Sequence, residues 1–362
     1  MHRKNIVVVL VSIAIAIGIA VAIYYVNLKS NDGNTNTPPS TGESAGIVTI
    51  AENLDTPWSI AFYGDTALVS SRDTGQILEI NNSNRTSRVV GTVLGSVHRG
   101  EGGLLGLAVD SQRRLYAYHT TASDNRVSRF ILGGAPGKLS LGEPEVIIDK
   151  LPSASIHNGG RIAFGPDNLL YVTVGDAGDT SSAQDLTRLG GKILRMTSDG
   201  DVPAGNPFPN SFVYSYGHRN PQGLAWSEDG TMYASEFGQN AWDELNIIKA
   251  GSNYGWPNVE GIEERNGYVV PVQQWATRDA SPSGLAYTGG LLYIANLRGE
   301  RLRTVPINNL GMSEERYSGD YGRIRDVTVA PNGRVWFVTN NTDGRGTPRS
   351  SDDRIFSIRQ TF

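Results

Sequence analysis

A chain of 362 residues exceeds one average domain, but a closed ring of β-sheets of this size is still one unit, so length does not force two domains. A formal net charge of −4 provides no basic field for a polyanion, which argues against nucleic acid as a partner. The complete lack of cysteine excludes disulfides, thiolate metal sites and covalently attached c-type haem, so any redox chemistry needs a bound, non-thiol cofactor.

In chain order, the first feature is the apolar run Ile6 to Val26, broken only by Ser12, Gly18, Tyr24 and Tyr25. It is long enough to span a bilayer. His2, Arg3 and Lys4 precede it and only Lys29 follows closely, which orients the rest of the chain to the extracytoplasmic side. Residues 1–29 therefore read as a transmembrane anchor or a signal segment. The ending Tyr24-Tyr25-Val26-Asn27 lacks the small residues of a cleavage site and favours a retained anchor, membrane-bound rather than secreted. Residues 30–46, rich in Asn, Thr, Ser, Pro and Gly, read as a flexible linker.

From residue 47 onward one theme recurs six times: an apolar segment, a glycine- or Pro-Asp-type turn, an aromatic strand and a further strand. The copies begin at Pro57, Gly103, Gly160, Pro221, Pro282 and Arg325, and strands such as Gln76–Ile80, Arg126–Leu132, Lys192–Met196 and Asp353–Ile358 follow most of them. Short alternating segments separated by D-G, P-D-N, P-N-G and G-G turns are hairpins. Their spacing is that of four-stranded propeller blades, and the 43 glycines suit so turn-rich a chain. The expected fold is all-β, a six-bladed β-propeller over 47–362 preceded by one N-terminal hydrophobic helix. Ile47–Ile50 is expected to join the last blade and tie the chain ends together. A β-sandwich seldom repeats a motif, and a solenoid needs capping units that are not seen.

A propeller is a scaffold, so function must come from its loops. His157 precedes the third repeat's first strand and Asp176 follows its next one; at a single mouth such a pair makes a base whose tautomer the carboxylate fixes. In Gly217-His218-Arg219-Asn220, Arg219 suits bidentate anion recognition, or else ties neighbouring blades through loop carbonyls. Arg323 and Arg325, two apart on an expected strand, face one side, and with Arg219 and Arg298 could ring a funnel around an anion. The oxygen-rich loops Glu236–Asn246 and Asn253–Asn258 suit calcium, though not as an EF-hand. Glu101 opens the second repeat, as turn chemistry or as a ligand contact.

The stretches GEGGLLGLAVD (100–110), HNGGRIAFGPDNLLYVTVGDAGD (157–179), GHRNPQGLAW (217–226), SEFGQNAWDELNIIKAGSNYGWPN (235–258) and YGRIRDVTVAPNG (321–333) closely resemble the soluble quinoprotein glucose dehydrogenase and aldose sugar dehydrogenase family. The likeness runs from Ile47 to the C-terminus. It implies a six-bladed propeller that binds pyrroloquinoline quinone (PQQ) with Ca2+ and oxidises an aldose sugar at C1 to the lactone. By that resemblance His157 takes the proton of the anomeric hydroxyl, oriented by Asp176, as hydride leaves C1 for the quinone's C5. Arg219 polarises the quinone carbonyl and Asn220 bonds the cofactor beside it. Arg323 and Arg325 hold PQQ carboxylates, and Arg298 stands where the family often has lysine. Glu101 replaces a glutamine and places a negative group near an anionic cofactor. The backbone carbonyls of Gly238 and Gln239 hold the cofactor's calcium, Gln239 in place of a proline. Glu244 and the carbonyl of Tyr254 hold a second calcium. Shorter mouth loops place the chain nearer the aldose sugar dehydrogenase branch. Without its own haem it would need an external electron acceptor, a quinone or electron-transfer protein. Two readings stand beside this one: a non-catalytic propeller binding a glycan or protein, and a calcium-dependent hydrolase using His157 and Asp176.

Overall fold

Alternating apolar strands in which both faces are buried must pack between neighbours on either side, and a ring satisfies that requirement for every sheet at once. The computed structural model describes residues 46–359, and there it is all-β, with a six-bladed propeller as its architecture. The expected anchor, and nearly all of the linker, lie outside the described residues. Among those described, no helix is long and apolar enough to cross a membrane.

Each blade is an antiparallel sheet running outward from the ring axis in chain order. Blade 1 holds Pro57–Tyr63, Thr66–Ser71, Gln76–Asn81 and Thr86–Thr92. Blade 2 begins with Leu104–Val109, Arg114–Thr120 and Asn125–Gly133, and its outer edge is Glu145–Leu151 with the short Ser140–Leu141. The inner three strands of blade 3 are Ile162–Phe164, Leu170–Val174 and Lys192–Met196, and those of blade 4 are Pro221–Trp226, Met232–Glu236 and Trp242–Ile248. Val213–Tyr216 and Gln273–Ala276 complete them. Blade 5 runs from Pro282–Thr288 through Leu291–Asn296 and Arg301–Pro306 to Glu314–Arg316. Blade 6 has Ile324–Val329, Val335–Thr339 and Ile355–Ile358, and its outermost strand is Ile47–Ala51 from the other end of the propeller. Ile47 stands opposite Ile358, so the first strand closes the ring onto the last, as the sequence predicts.

Six apolar clusters fill the spaces between adjacent blades. The strand Arg114–Thr120 shows how period-two alternation serves two of them. Leu115 and Ala117 pack toward blade 1, while Tyr116 and Tyr118 pack toward blade 3. Where inner strands approach most closely, a side chain has no room. A Cβ on Gly106 would come within 2.2 Å of the Gly160 carbonyl oxygen, to which the Gly106 N–H bonds at 3.0 Å.

The axis itself is polar. Arg161 lies over the Trp58 ring at 4.4 Å and donates to Ser59 Oγ at 3.1 Å and the Gln222 carbonyl at 2.9 Å. Its Nη2 pairs with Asp326 Oδ1 at 3.0 Å, and Asp326 Oδ2 accepts the Ile60 N–H at 2.9 Å. Three blades are thereby tied through one buried ion pair, to which blade 4 adds the Gln222 carbonyl.

Five of the six inner strands carry a register shift near their start, at Pro57/Ser59, Leu104/Leu107, Pro221/Gly223, Pro282/Leu285 and Ile324/Asp326. Such bulges re-aim side chains, and all five lie at the end of the strand that leads out of a mouth loop.

Candidate active site

The loops that enter these strands enclose a cavity of about 410 Å³ lined by Glu101, His157, Arg219, Asn220, Gly238, Gln239, Arg298 and Arg323, all singled out from sequence. Phe237, Asp243, Thr277, Ser281, Leu297 and Arg345 complete the wall.

His157 Nδ1 donates to Asp176 Oδ1 at 2.7 Å, as the pairing of two strand ends in blade 3 predicts. The backbone at His157 is held at φ +54°, an unusual conformation outside glycine. Glu101 Oε2 accepts the His157 N–H at 2.9 Å, and a Cβ at Gly175 would lie 1.9 Å from the His157 carbonyl. A glycine and a carboxylate thus hold the histidine in place. Asp176 is buried, which alone would raise its pKa, but the bond from His157, the Gly178 N–H at 2.8 Å and Trp256 Nε1 at 2.9 Å hold its carboxyl below the ordinary value. With Nδ1–H committed to a charged partner, the imidazole keeps Nε2 as a proton acceptor.

Arg219 sits over the Trp256 ring at 5.5 Å, so one indole supports both the carboxylate and the guanidinium. Its backbone N–H and that of Asn220 donate to Glu236 Oε1, whose other oxygen meets His218 Nδ1 at 2.9 Å. His218 in turn contacts Ser215 Oγ at 2.8 Å; this group is wholly buried and serves to fix the turn. Arg219 Nη1 reaches the Phe237 carbonyl at 3.2 Å. Burial lowers the Arg219 pKa, and the nearby carboxylates of Asp176 and Glu236 oppose that fall.

The sequence places Arg323 and Arg325 on one face of a strand; in the structure only Arg323 is among the residues lining the cavity. The bulge at Ile324/Asp326 breaks the alternation, so Arg323 lines the cavity while Arg325 is not among the lining residues. Arg325 is buried over Trp58 at 5.7 Å, donating to Gln222 Oε1 at 3.0 Å, to Ser283 Oγ and to Asn340 Oδ1. Burial pushes its guanidinium down to about 9. Arg298, just past Leu291–Asn296, is an exposed wall residue.

Gly238 and Gln239 lie in a loop whose amides are all engaged. The Gly238 N–H donates to Asp243 Oδ1 at 2.9 Å. Glu260 Oε1 collects the N–H groups of Gln239, Asn240, Ala241 and Trp242 at 2.6 to 3.4 Å. Neither carbonyl oxygen of Gly238 or Gln239 accepts a hydrogen bond from the described residues. Burial pushes Asp243 up to about 6 despite the N–H groups of Ser281 and Gly238. Glu260 and Asp243 were not singled out from sequence as individual residues, because nothing local marks a carboxylate that works through distant amides.

Glu244 and Tyr254 lie away from this cavity. Glu244 accepts the Gly261 N–H at 2.7 Å and Asn246 Nδ2 at 3.0 Å, and burial together with neighbouring Glu236 pushes it up to about 7. Tyr254 stacks on His218 at 4.6 Å and donates its hydroxyl to the Ile247 carbonyl. Among the described residues no group of three or more His, Cys, Asp or Glu side chains converges as a metal cluster, so a cation here would depend on backbone oxygens.

The cavity can be tested against an anionic, carbonyl-rich cofactor by its unused donors. Arg219 Nε, Asn220 Nδ2 and Arg323 Nε are all buried without a hydrogen-bond partner, and all belong to lining residues. Orphaned buried donors are costly, and three at one cavity fit a ligand rich in acceptors.

Comparison with known proteins agrees. The chain is 47% identical to the PQQ-bound aldose sugar dehydrogenase of Streptomyces coelicolor, with a TM-score of 0.84 over 89% of this chain and 99% of that one. It is 30% identical to aldose sugar dehydrogenase YliI of Escherichia coli (strain K12) over 83% of this chain and 91% of that protein. Quinoprotein glucose dehydrogenase B of Acinetobacter calcoaceticus is 33% identical over 67% of this chain, a match that spans 59% of that longer protein. The profile of the Glucose / Sorbosone dehydrogenase family matches residues 54–347, nearly the whole propeller, and with the geometry just described this shows that the chain belongs to that family.

Proposed function

We propose that this protein is a PQQ- and calcium-dependent dehydrogenase that oxidises an aldose at C1 to the lactone and passes electrons to an external quinone or electron-transfer protein. The observation that carries the proposal is the His157–Asp176 pair in one cavity with three unsatisfied buried donors. His157 Nε2 takes the proton of the anomeric hydroxyl, and Asp176 stabilises the imidazolium that results. Bound PQQ supplies the two-electron acceptor, and calcium draws electron density from it. Arg219 and Asn220 direct their free donors at the region where negative charge develops, a preorganised role. Arg323 and Arg298 bind carboxylates, while Arg325, behind the wall, stiffens Gln222 and Asn340. The carbonyls of Gly238 and Gln239 hold the calcium, their amides being occupied by Asp243 and Glu260. The apolar run Ile6 to Val26, with its basic N-terminal flank, supports an extracytoplasmic, membrane-anchored placement.

Purified protein is expected to take up PQQ at micromolar concentration only with calcium present, and added aldose then reduces the cofactor, read by its absorbance. Absence of uptake under these conditions overturns the redox reading in favour of a binding propeller.

A second calcium at Glu244 and the Tyr254 carbonyl is part of the proposal, and pH tests it. Because the folded Glu244 has a raised pKa, the unfolded chain releases its proton first, so cation-free protein loses stability as pH rises from about 4.5 toward 7. Millimolar calcium is expected to abolish that decline in melting temperature, and Glu244→Gln to remove both the decline and the calcium response. A decline that calcium leaves untouched sinks the second site.

A further inference from the structure

Glu101 presents a problem, since it places a carboxylate beside a site that must hold an anion, and the fold answers it with a residue 244 positions away. Arg345 lies on the loop between Val335–Thr339 and Ile355–Ile358 and donates from Nη1 to Glu101 Oε1 at 3.2 Å. We infer that Arg345 is a further anion-binding residue of this cavity, and that Glu101 is the counter-charge that positions it. The inference rests on the polycarboxylate cofactor proposed above.

Three observations support it. Arg345 lines the same cavity as Arg219, Arg298 and Arg323. Its placement is built: the Arg345 N–H donates to Asp343 Oδ1 at 2.9 Å, while Asp343 Oδ2 pairs with Arg323 Nη2 at 3.0 Å. A single carboxylate, 1% exposed, therefore sets two cavity guanidiniums, one through its side chain and the other through its backbone. Finally, the Arg345 side chain is 57% exposed, and among the described residues its one hydrogen bond to another side chain uses one N–H. An exposed pair of this kind is weak, so Arg345 can turn its remaining donors to an incoming carboxylate at little cost. Glu101 remains attached to the His157 N–H through its other oxygen, which fixes the anchor point of the pair beside the base. The Glu101–Arg345 pair is neutral as a unit, so a negative residue at this position does not repel the cofactor.

The test is a double-mutant cycle read by PQQ affinity at saturating calcium, using absorbance or tryptophan quenching rather than turnover. Arg345→Ala is expected to weaken binding roughly ten- to hundredfold, the size of one charge-assisted hydrogen bond plus the exposed Glu101 charge. In the background of Glu101→Gln, which keeps an oxygen for the His157 N–H, the Arg345→Ala loss is expected to shrink. Arg345→Lys keeps the charge and recovers part of the affinity. Parent-like binding by Arg345→Ala overturns the inference, and additive losses in the double variant remove Glu101 from it. A parent protein that takes up no PQQ overturns the cofactor reading and this inference with it, an outcome the variants alone cannot imitate.

Discussion

Replacing His157 by alanine is expected to lower kcat for aldose oxidation by roughly two to four orders of magnitude, the usual contribution of a positioned general base, with PQQ affinity little changed. The reason is the division of labour at the ring. Nδ1–H is bonded to Asp176 at 2.7 Å, so only Nε2 is available to the substrate proton, and among the described residues no second imidazole lines the cavity to take over. Since His157 holds φ +54°, a second variant, His157→Asn, keeps a residue tolerant of that backbone and separates loss of the base from loss of the loop. Stopped-flow reduction of the preloaded cofactor measures the step directly. Rates near those of the parent in both variants would assign the proton to another group. Asp176→Asn should act through the histidine, slowing the same step without altering the melting temperature greatly. Because Asp176 is held below the ordinary carboxylate range, the unfolded chain takes up the proton first, so the stability its bonds contribute is lost progressively as pH falls from the ordinary carboxylate value toward the lowered one.

The second large effect concerns stability. Arg161→Met is expected to cost about 3–5 kcal/mol of unfolding free energy, because it strands the Asp326 carboxylate on the ring axis without its partner. Asp326 is already raised by burial, which Arg161 only partly opposes, so the unpaired acid would be forced to protonate. The test is chemical denaturation of the single variant beside Arg161→Met with Asp326→Asn. The double change removes the buried charge as well, and should recover a substantial part of the loss. If the single variant unfolds at the parent's denaturant midpoint, the ion pair contributes nothing to closure. The Arg161 guanidinium also covers Trp58 and reaches Ser59 and Gln222, so the variant loses packing together with charge.

How far these features were legible without coordinates follows from their range along the chain. The inner strands are marked by apolar alternation and by turns: the six repeat starts and the strands read from Gln76, Arg126, Lys192 and Asp353 all fall within two residues of strand starts in the structure. Of the outermost strands, only Ile47–Ala51 was read individually. Thr86–Thr92 has a single buried residue and Glu314–Arg316 none, because one edge of each blade faces solvent and needs no apolar code. Pairing of His157 with Asp176 was legible, since the two flank adjacent strands of one hairpin. The split between Arg323 and Arg325 was not, for a bulge of one residue inverts the side on which everything before it points. The Trp256 bond to Asp176 spans 80 residues, and the Arg345 bond to Glu101 spans 244.

What the sequence by itself determined is therefore the local and the repeated: six β-repeats, an Ile47 strand able to close them, and a set of loop residues with the chemistry of an anion site and a base. Periodicity and turn chemistry act over a few residues, and so they leave a trace in the linear order. Only the tertiary structure decided which loops meet at one mouth, which arginine enters it, which carboxylates orient the Gly238–Trp242 amides, and what neutralises Glu101. Those choices depend on ring closure, which brings blades 1, 2 and 6 together and sets distances between side chains that no local pattern encodes.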